Sequence, residues 1–394
     1  LFDAYEKARY KMSYFIHAKK FYLDHGVEER GYLEIQDNGQ FGFYYSEDEK
    51  PKSAAILDFK NFSIAPGYVD THIHGLMNND VNDCDWNEIN KISEKLLQYG
   101  VTSWMPTTVT TSSEKLDEIC KTFAAHKGQE KGAKILGIHF EGSYFTKEHG
   151  GAENPEFMED PSIEEFDKWY RDSDGMLRKI SLAPERKNVP QFVRHIVKKG
   201  VVASLGHTSA TYEEARKALD AGATMFNHTF NGMNLLSQHT PNIIGCALTA
   251  DDVFDEMIAD GHHIKPIILQ MLFDLKGPNH IVLMTDCLRT GGMPDGEYVL
   301  SGMKVTVRNH IALLENGKLA GSTLTLDKAV RNLVNWEVCK PYEAIKMATY
   351  TPARSLNENC GCILPDRDAD FNVLDSNLNV LKTFVNGKEK YSVK

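Results

Sequence analysis

VVASLGHTSATYEEARKALDAGATMFNHTF, residues 201–230, holds one complete unit of the architecture on which the whole chain is read. The apolar run opening at Val201 reads as a strand, TYEEARKALDAG (211–222) carries a helical period, and TMFNHTF (224–230) reads as the next strand. Gly222 stands just past the helix, where a glycine commonly ends one. A strand, helix, strand order is the repeating element of parallel α/β folds. His207 and His228 each follow one of the two apolar runs, so the same unit places two metal-capable side chains at strand ends.

The alternation continues in both directions. Eight strand-like runs appear: FSIAPGYVDTH (62–72), VTSWMPTTV (101–109), AKILGIHFEG (133–142), KISLAPE (179–185), VVASLGHTS (201–209), TMFNHTF (224–230), DVFDEMIADG (252–261) and HIVLMTD (280–286). Helical stretches separate them, and Gly100 and Gly200 repeat the terminating role of Gly222. Eight such units fit a (β/α)8 TIM barrel, an α/β fold, better than an open doubly wound sheet, and we place the barrel at 65–354. The flanks have a different texture. YLEIQDNGQFGFYY (32–45) and ADFNVLDSNLNVLKTFVNGKEKYSVK (369–394) read as short strands, with Asn38-Gly39 and Asn386-Gly387 as hairpin turns. Residues 12–64 plus 355–394 are therefore expected to form one small, discontinuous β-sandwich domain built from both chain ends, and 1–11 read as a leader or tag.

A barrel of this kind carries its active site at the C-terminal ends of its strands, and the polar residues fall there. His72-Ile73-His74 puts two imidazoles on one face of an extended segment, because side chains alternate with period two. The tripeptide alone fits a ligand pair and a pair of polar core histidines equally. Glu141 follows ILGIHF, where an unpaired carboxylate is costly to bury, so either a cation or an Arg or Lys partner is expected. Glu141, His207 and His228 make a three-ligand set that leaves one position open, as a catalytic Zn²⁺ requires. Asp286 in LMTDC is a candidate general base and acid, with a helix cap as the plainer role.

Composition bounds the rest. The 394 residues are 42% hydrophobic and 25% charged, enough for one large core and a satellite, and no run of about 18 apolar residues points to a membrane span. The net charge of −11 comes without a basic tract, which argues against a nucleic-acid partner. Seven scattered cysteines, an odd number, suit a reducing cytoplasm, and the Cys360-Gly-Cys362 pair lacks the further ligands of a metal site.

Together APGYVDTHIHG (65–75), GIHFEGSYF (137–145), LAPE (182–185), GHTSATYEEA (206–215), NHTFNGM (227–233), IADGHHI (258–264), VLMTDC (282–287), GKLAGSTLTLDKAV (317–330), ATYTPARSL (348–356) and LPDRDADFNVLD (364–375) resemble the amidohydrolase superfamily, and within it the N-acetylglucosamine-6-phosphate deacetylase family. The resemblance implies hydrolysis of the N-acetyl group of N-acetylglucosamine-6-phosphate to glucosamine-6-phosphate and acetate. It implies Glu141, His207 and His228 as core ligands of Zn²⁺ or Fe²⁺, His72 and His74 as completing a second site, so one or two metals per chain, and Asp286 as the acid/base. No lysine ends the fourth strand, which leaves Glu141 rather than a carbamylated lysine as the bridge. Substrate contacts are implied at Asn231, Gly232, His263 and Ala152, and a homodimer is implied as well. Two positions depart from the family pattern. His239 stands where an arginine often reaches the neighbouring subunit's phosphate, and Glu153 stands where histidine or glutamine is common. Rival readings are an N-acetylgalactosamine-6-phosphate deacetylase, another amidohydrolase, and a metal-binding barrel without turnover.

Overall fold

The computed structural model describes residues 13–52, 55–300 and 303–393; the leader reading for 1–11 lies outside them. Apolar residues that alternate or run continuously in the sequence become eight parallel strands: Tyr68–Ile73, Val101–Thr108, Ile138–Glu141, Leu177–Leu182, Val202–Leu205, Met225–Phe226, Phe254–Ile258 and Ile281–Met284. Each pairs in parallel with the next in chain order. The ring closes where Ile73 bridges Cys287, with Asp286 N–H donating to the His72 carbonyl at 2.9 Å. All eight strands read from the sequence are present. Val101–Thr108 is buried along its whole length, as a strand covered on both faces must be.

The helices between strands show why these segments are helical. Tyr212–Asp220 starts on a reciprocal cap in which Thr211 and Glu214 satisfy each other's backbone N–H groups, and it stops before Gly222 at φ +113°. Its buried Ala215 and Ala218 lie three apart and face the barrel.

Both chain ends enter one seven-stranded sheet in the order Lys388–Ser392, Val380–Val385, Phe371–Leu374, Ala55–Pro66, Tyr14–Leu23, Gly26–Ile35, Phe41–Ser46. Phe371 pairs with Pro66, so the late segment is sewn onto the early one, and Phe371 stacks on Phe384 with ring centroids 4.3 Å apart. Both proposed turns form, with Asn386 and Gly387 at φ 49° and 69°. The passage from sheet to barrel runs through Gly67, where a Cβ would lie 2.0 Å from Thr102 Oγ1; no larger residue fits there.

The sequence reading did not foresee a three-stranded antiparallel sheet, Gly296–Leu300, Met303–Arg308 and Ile311–Leu314, after the last barrel strand. It packs its own small core, including Val305, Val307 and Ala312, beside Leu288 and Ala320. Leu288, Leu319, Ala320 and Gly321 in turn form one wall of the cavity at the strand ends.

Candidate metal centre and active site

The C-terminal ends of five different strands bring His72, His74, Glu141, His207, His228 and Asp286 together. Two groups of ligand atoms result, His72, His74, Glu141 and Asp286 in one and Glu141, His207 and His228 in the other. Glu141 belongs to both. Its Oε1 lies 3.1 Å from His228 Nε2 and 3.5 Å from His207 Nε2, while its Oε2 lies 3.1 Å from both His72 Nε2 and His74 Nε2. Asp286 Oδ1 stands 3.1 Å from His74 Nε2 and 3.4 Å from His72 Nε2.

Hydrogen bonds behind the rings fix which nitrogen faces the centre. His207 Nδ1 donates to the His149 carbonyl at 2.7 Å and His228 Nδ1 to the Asn231 carbonyl at 3.0 Å. A carbonyl can only accept, so each Nδ1 carries the hydrogen and each neutral ring turns an Nε2 lone pair inward. Those two Nε2 atoms are 2.9 Å apart beside a carboxylate, an arrangement that is repulsive until a cation sits among them. His72 Nε2, close to two carboxylates, and His74 Nδ1 make no hydrogen bond among the described residues. The donor set therefore fits a divalent metal ion, with imidazole and carboxylate in the mixture that zinc and iron accept.

The electrostatics agree. Burial alone would raise Glu141, yet His72, His207 and His228 hold it well below the usual carboxylate range. Burial alone would lower His72, yet Glu141 and Glu256 raise it to about 9, so a proton takes the cation's place when no metal is bound. Burial also raises Asp286, but the His74 hydrogen bond and the nearby His72 leave it below its ordinary value. His207, His228 and Asp286 hold positive φ angles of 47°, 27° and 51°, strain of the kind that collects at functional sites.

A cavity of about 180 Å³ opens onto this centre. Ala152, Asn231, Gly232 and His263 line it together with Glu153. His263 is held by Asp260, Nδ1 to Oδ2 at 2.7 Å, and His262 beside it is exposed. His239 is not brought into the cavity: it is exposed on the 237–240 turn.

Sequence reasoning missed several supporting residues. Asn227 donates to Glu141 Oε1 at 2.6 Å. Lys179, fully buried on the fourth strand, pairs with buried Glu256 rather than reaching the ligand groups. Glu153, named in the sequence as a departure from the family pattern, accepts from Thr110 N–H, and burial with the nearby Glu141 pushes it up to about 7. A charged residue inside an otherwise apolar strand was the available signal for Lys179 and Glu256.

Residues 63–390 match the amidohydrolase family. The chain is 35% identical over 380 residues to the N-acetylgalactosamine-6-phosphate deacetylase of Escherichia coli O157:H7, across 96% of this chain and 99% of that one. It is 34% identical over 358 residues to the N-acetylglucosamine-6-phosphate deacetylase of Vibrio furnissii, across 90% and 89% of the two chains. A mutant N-acetyl-D-glucosamine-6-phosphate deacetylase of Mycobacterium smegmatis, solved with N-acetyl-D-glucosamine-6-phosphate, superposes with a TM-score of 0.91 at 28% identity, across 97% of this chain and 100% of that one. The chain belongs to the amidohydrolase family, among its N-acetylated amino-sugar phosphate deacetylases.

Proposed function

We propose that the protein hydrolyses the acetamide of N-acetylglucosamine-6-phosphate, releasing acetate and glucosamine-6-phosphate. The observation that carries the reading is Glu141 shared between two histidine groups, with Asp286 beside them on the wall of a substrate-sized cavity. Glu141, His207 and His228 would hold a divalent cation, with His72 and His74 completing a second site, and the metal would supply Lewis acidity to the acetyl carbonyl and to the attacking water. Asp286 accepts the proton from that water as its oxygen bonds to the carbonyl carbon. It then delivers the proton to the nitrogen as the C–N bond breaks, so that the amine leaves and acetate remains. His263, anchored by Asp260, faces the carbonyl oxygen and stabilises the charge that gathers there. Asn231 and the backbone N–H groups at Gly232 and Ala152 hold the sugar phosphate, and His239 serves a neighbouring subunit's site in a homodimer.

Zinc or iron is the metal we assign, and the cytoplasm the compartment; seven unpaired cysteines fit reducing conditions. Among the described residues no helix is long and apolar enough to cross a membrane. The separate hydrophobic core of the end-segment sheet supports a division into 12–64 plus 355–394 and 65–354. A second reading, the galactosamine epimer as substrate, is favoured by the 35% identity to the Escherichia coli enzyme. Acetate release from the two epimeric sugar phosphates, before and after chelation, tests both. Chelator-sensitive release from the gluco epimer is expected, a preference for the galacto epimer selects the second reading, and no release from either after metal reconstitution overturns both.

A further inference from the structure

We propose that Glu256, held in place by Lys179, is a positioning residue that aims His72 at the second of the two cation sites read above, so that occupancy of that site depends on the buried pair. The inference rests on the metal-dependent reading above.

The strands bring the two charges together in the barrel interior. Lys179 and Glu256 are both fully buried inside the barrel, on its fourth and seventh strands, and their side chains form an ion pair. Two more groups complete the shell of Glu256. Thr71 Oγ1 donates to its Oε1 at 3.1 Å, and His72 Nδ1 faces its Oε2 at 3.4 Å. A carboxylate accepts only, so the ring hydrogen on that side of His72 stays on Nδ1 and the Nε2 lone pair is aimed at Glu141 and Asp286. The ring cannot turn away. His139 packs edge-on against it with centroids 4.8 Å apart, and His139 is itself tied to Ser181 Oγ at 2.7 Å and Thr107 Oγ1 at 3.2 Å.

The contrast with His74 identifies what the pair contributes. His74 Nδ1 has no partner among the described residues, so nothing behind that ring sets its orientation. His207 and His228 take their orientation from backbone carbonyls, which the fold supplies whatever the side chains are. Among the described residues, of these four rings only that of His72 is backed by a side chain, and that side chain is paired with a lysine. A lone buried carboxylate would be expensive; Lys179 removes that cost and leaves Oε2 facing His72.

The test titrates metal-free protein with Zn²⁺ against a chromophoric chelator, for the wild type and for Lys179→Met/Glu256→Leu, a pair of similar volume in which neither partner is stranded. The wild type is expected to take two equivalents. The double variant is expected to bind the first with unchanged affinity and the second ten- to a hundredfold more weakly. Loss of both equivalents together, or an unchanged second equivalent, overturns the proposal, as does a wild type that binds one. Should the variant not fold, a long-range ¹H–¹⁵N spectrum of Zn²⁺-loaded wild type decides: a protected His72 Nδ1–H is expected, and its absence overturns the proposal. Acetate release is read separately, so two bound Zn²⁺ without turnover would sink the substrate reading and leave this one standing.

Discussion

Gly232→Ala should damage metal binding through a single methyl group. Gly232 has φ +60°, and a Cβ there would lie 3.0 Å from His207 Nδ1 and 3.3 Å from the His149 carbonyl oxygen. Those two atoms are the donor and acceptor of the 2.7 Å hydrogen bond that aims His207 at Glu141. The ring has little room to yield, because Phe145 stacks on it with centroids 4.3 Å apart. An alanine in the left-handed region costs about 1–2 kcal/mol wherever it stands, so a matched control is needed. Gly200 provides it, with φ +79° and nothing within 4 Å of the added carbon. Both variants are expected to lose about 1–2 kcal/mol in urea denaturation. Only Gly232→Ala is expected to lose metal affinity as well, by roughly ten- to a hundredfold, since it disturbs the partner that orients a ligand. The assay is a Zn²⁺ competition titration on each variant. Wild-type affinity in Gly232→Ala, or an equal loss in Gly200→Ala, would refute the reasoning.

Asp286→Asn should cut the rate of acetate release by roughly 10²–10⁴-fold with the circular dichroism spectrum intact, and a rate within threefold of wild type would remove Asp286 from the acid/base role. Glu153 is raised to about 7 by burial and by Glu141, so its folded value lies above its unfolded one. Its contribution to stability is then full below the unfolded value and is lost as pH rises through about 7, on the order of 3 kcal/mol in the metal-free protein. Melting temperatures of wild type and Glu153→Gln across that range should diverge, the variant showing the flatter profile; parallel profiles contradict it. Thr211→Ala removes one half of a reciprocal helix cap and should lower unfolding free energy by about 1 kcal/mol in urea titrations.

Much of the barrel and of the side-chain cluster at its strand ends could be read from the chain because both are written locally. Apolar runs mark strands, and His72, His74, Glu141, His207, His228 and Asp286 each stand at or just beyond the end of one. Periodicity and strand-end placement are short-range signals, and they survive without knowledge of what lies across the barrel. What stayed hidden is non-local. Lys179 and Glu256 pair across 77 positions, and each alone is a charged residue inside a strand with no partner visible nearby in the sequence. Glu153 reads as a mismatch to a phosphate until Thr110, 43 positions earlier, is seen donating to it. The three strands at 296–314 alternate well enough to be recognised, but they interrupt the barrel pattern and have no counterpart in its repeat.

The seam between the first and last barrel strands has a consequence for how the protein is made. His74 and Asp286 meet across 212 positions. At a ribosomal pace of about 5–20 residues per second, the first strand waits roughly 10–40 seconds for the edge that completes it. Until then its open backbone groups invite the wrong neighbour, and of the two ligand groups only the one formed by Glu141, His207 and His228 can assemble. The second cannot exist before the ring shuts. Loading of that group would therefore report, on each newly made chain, that the last strand has found its place.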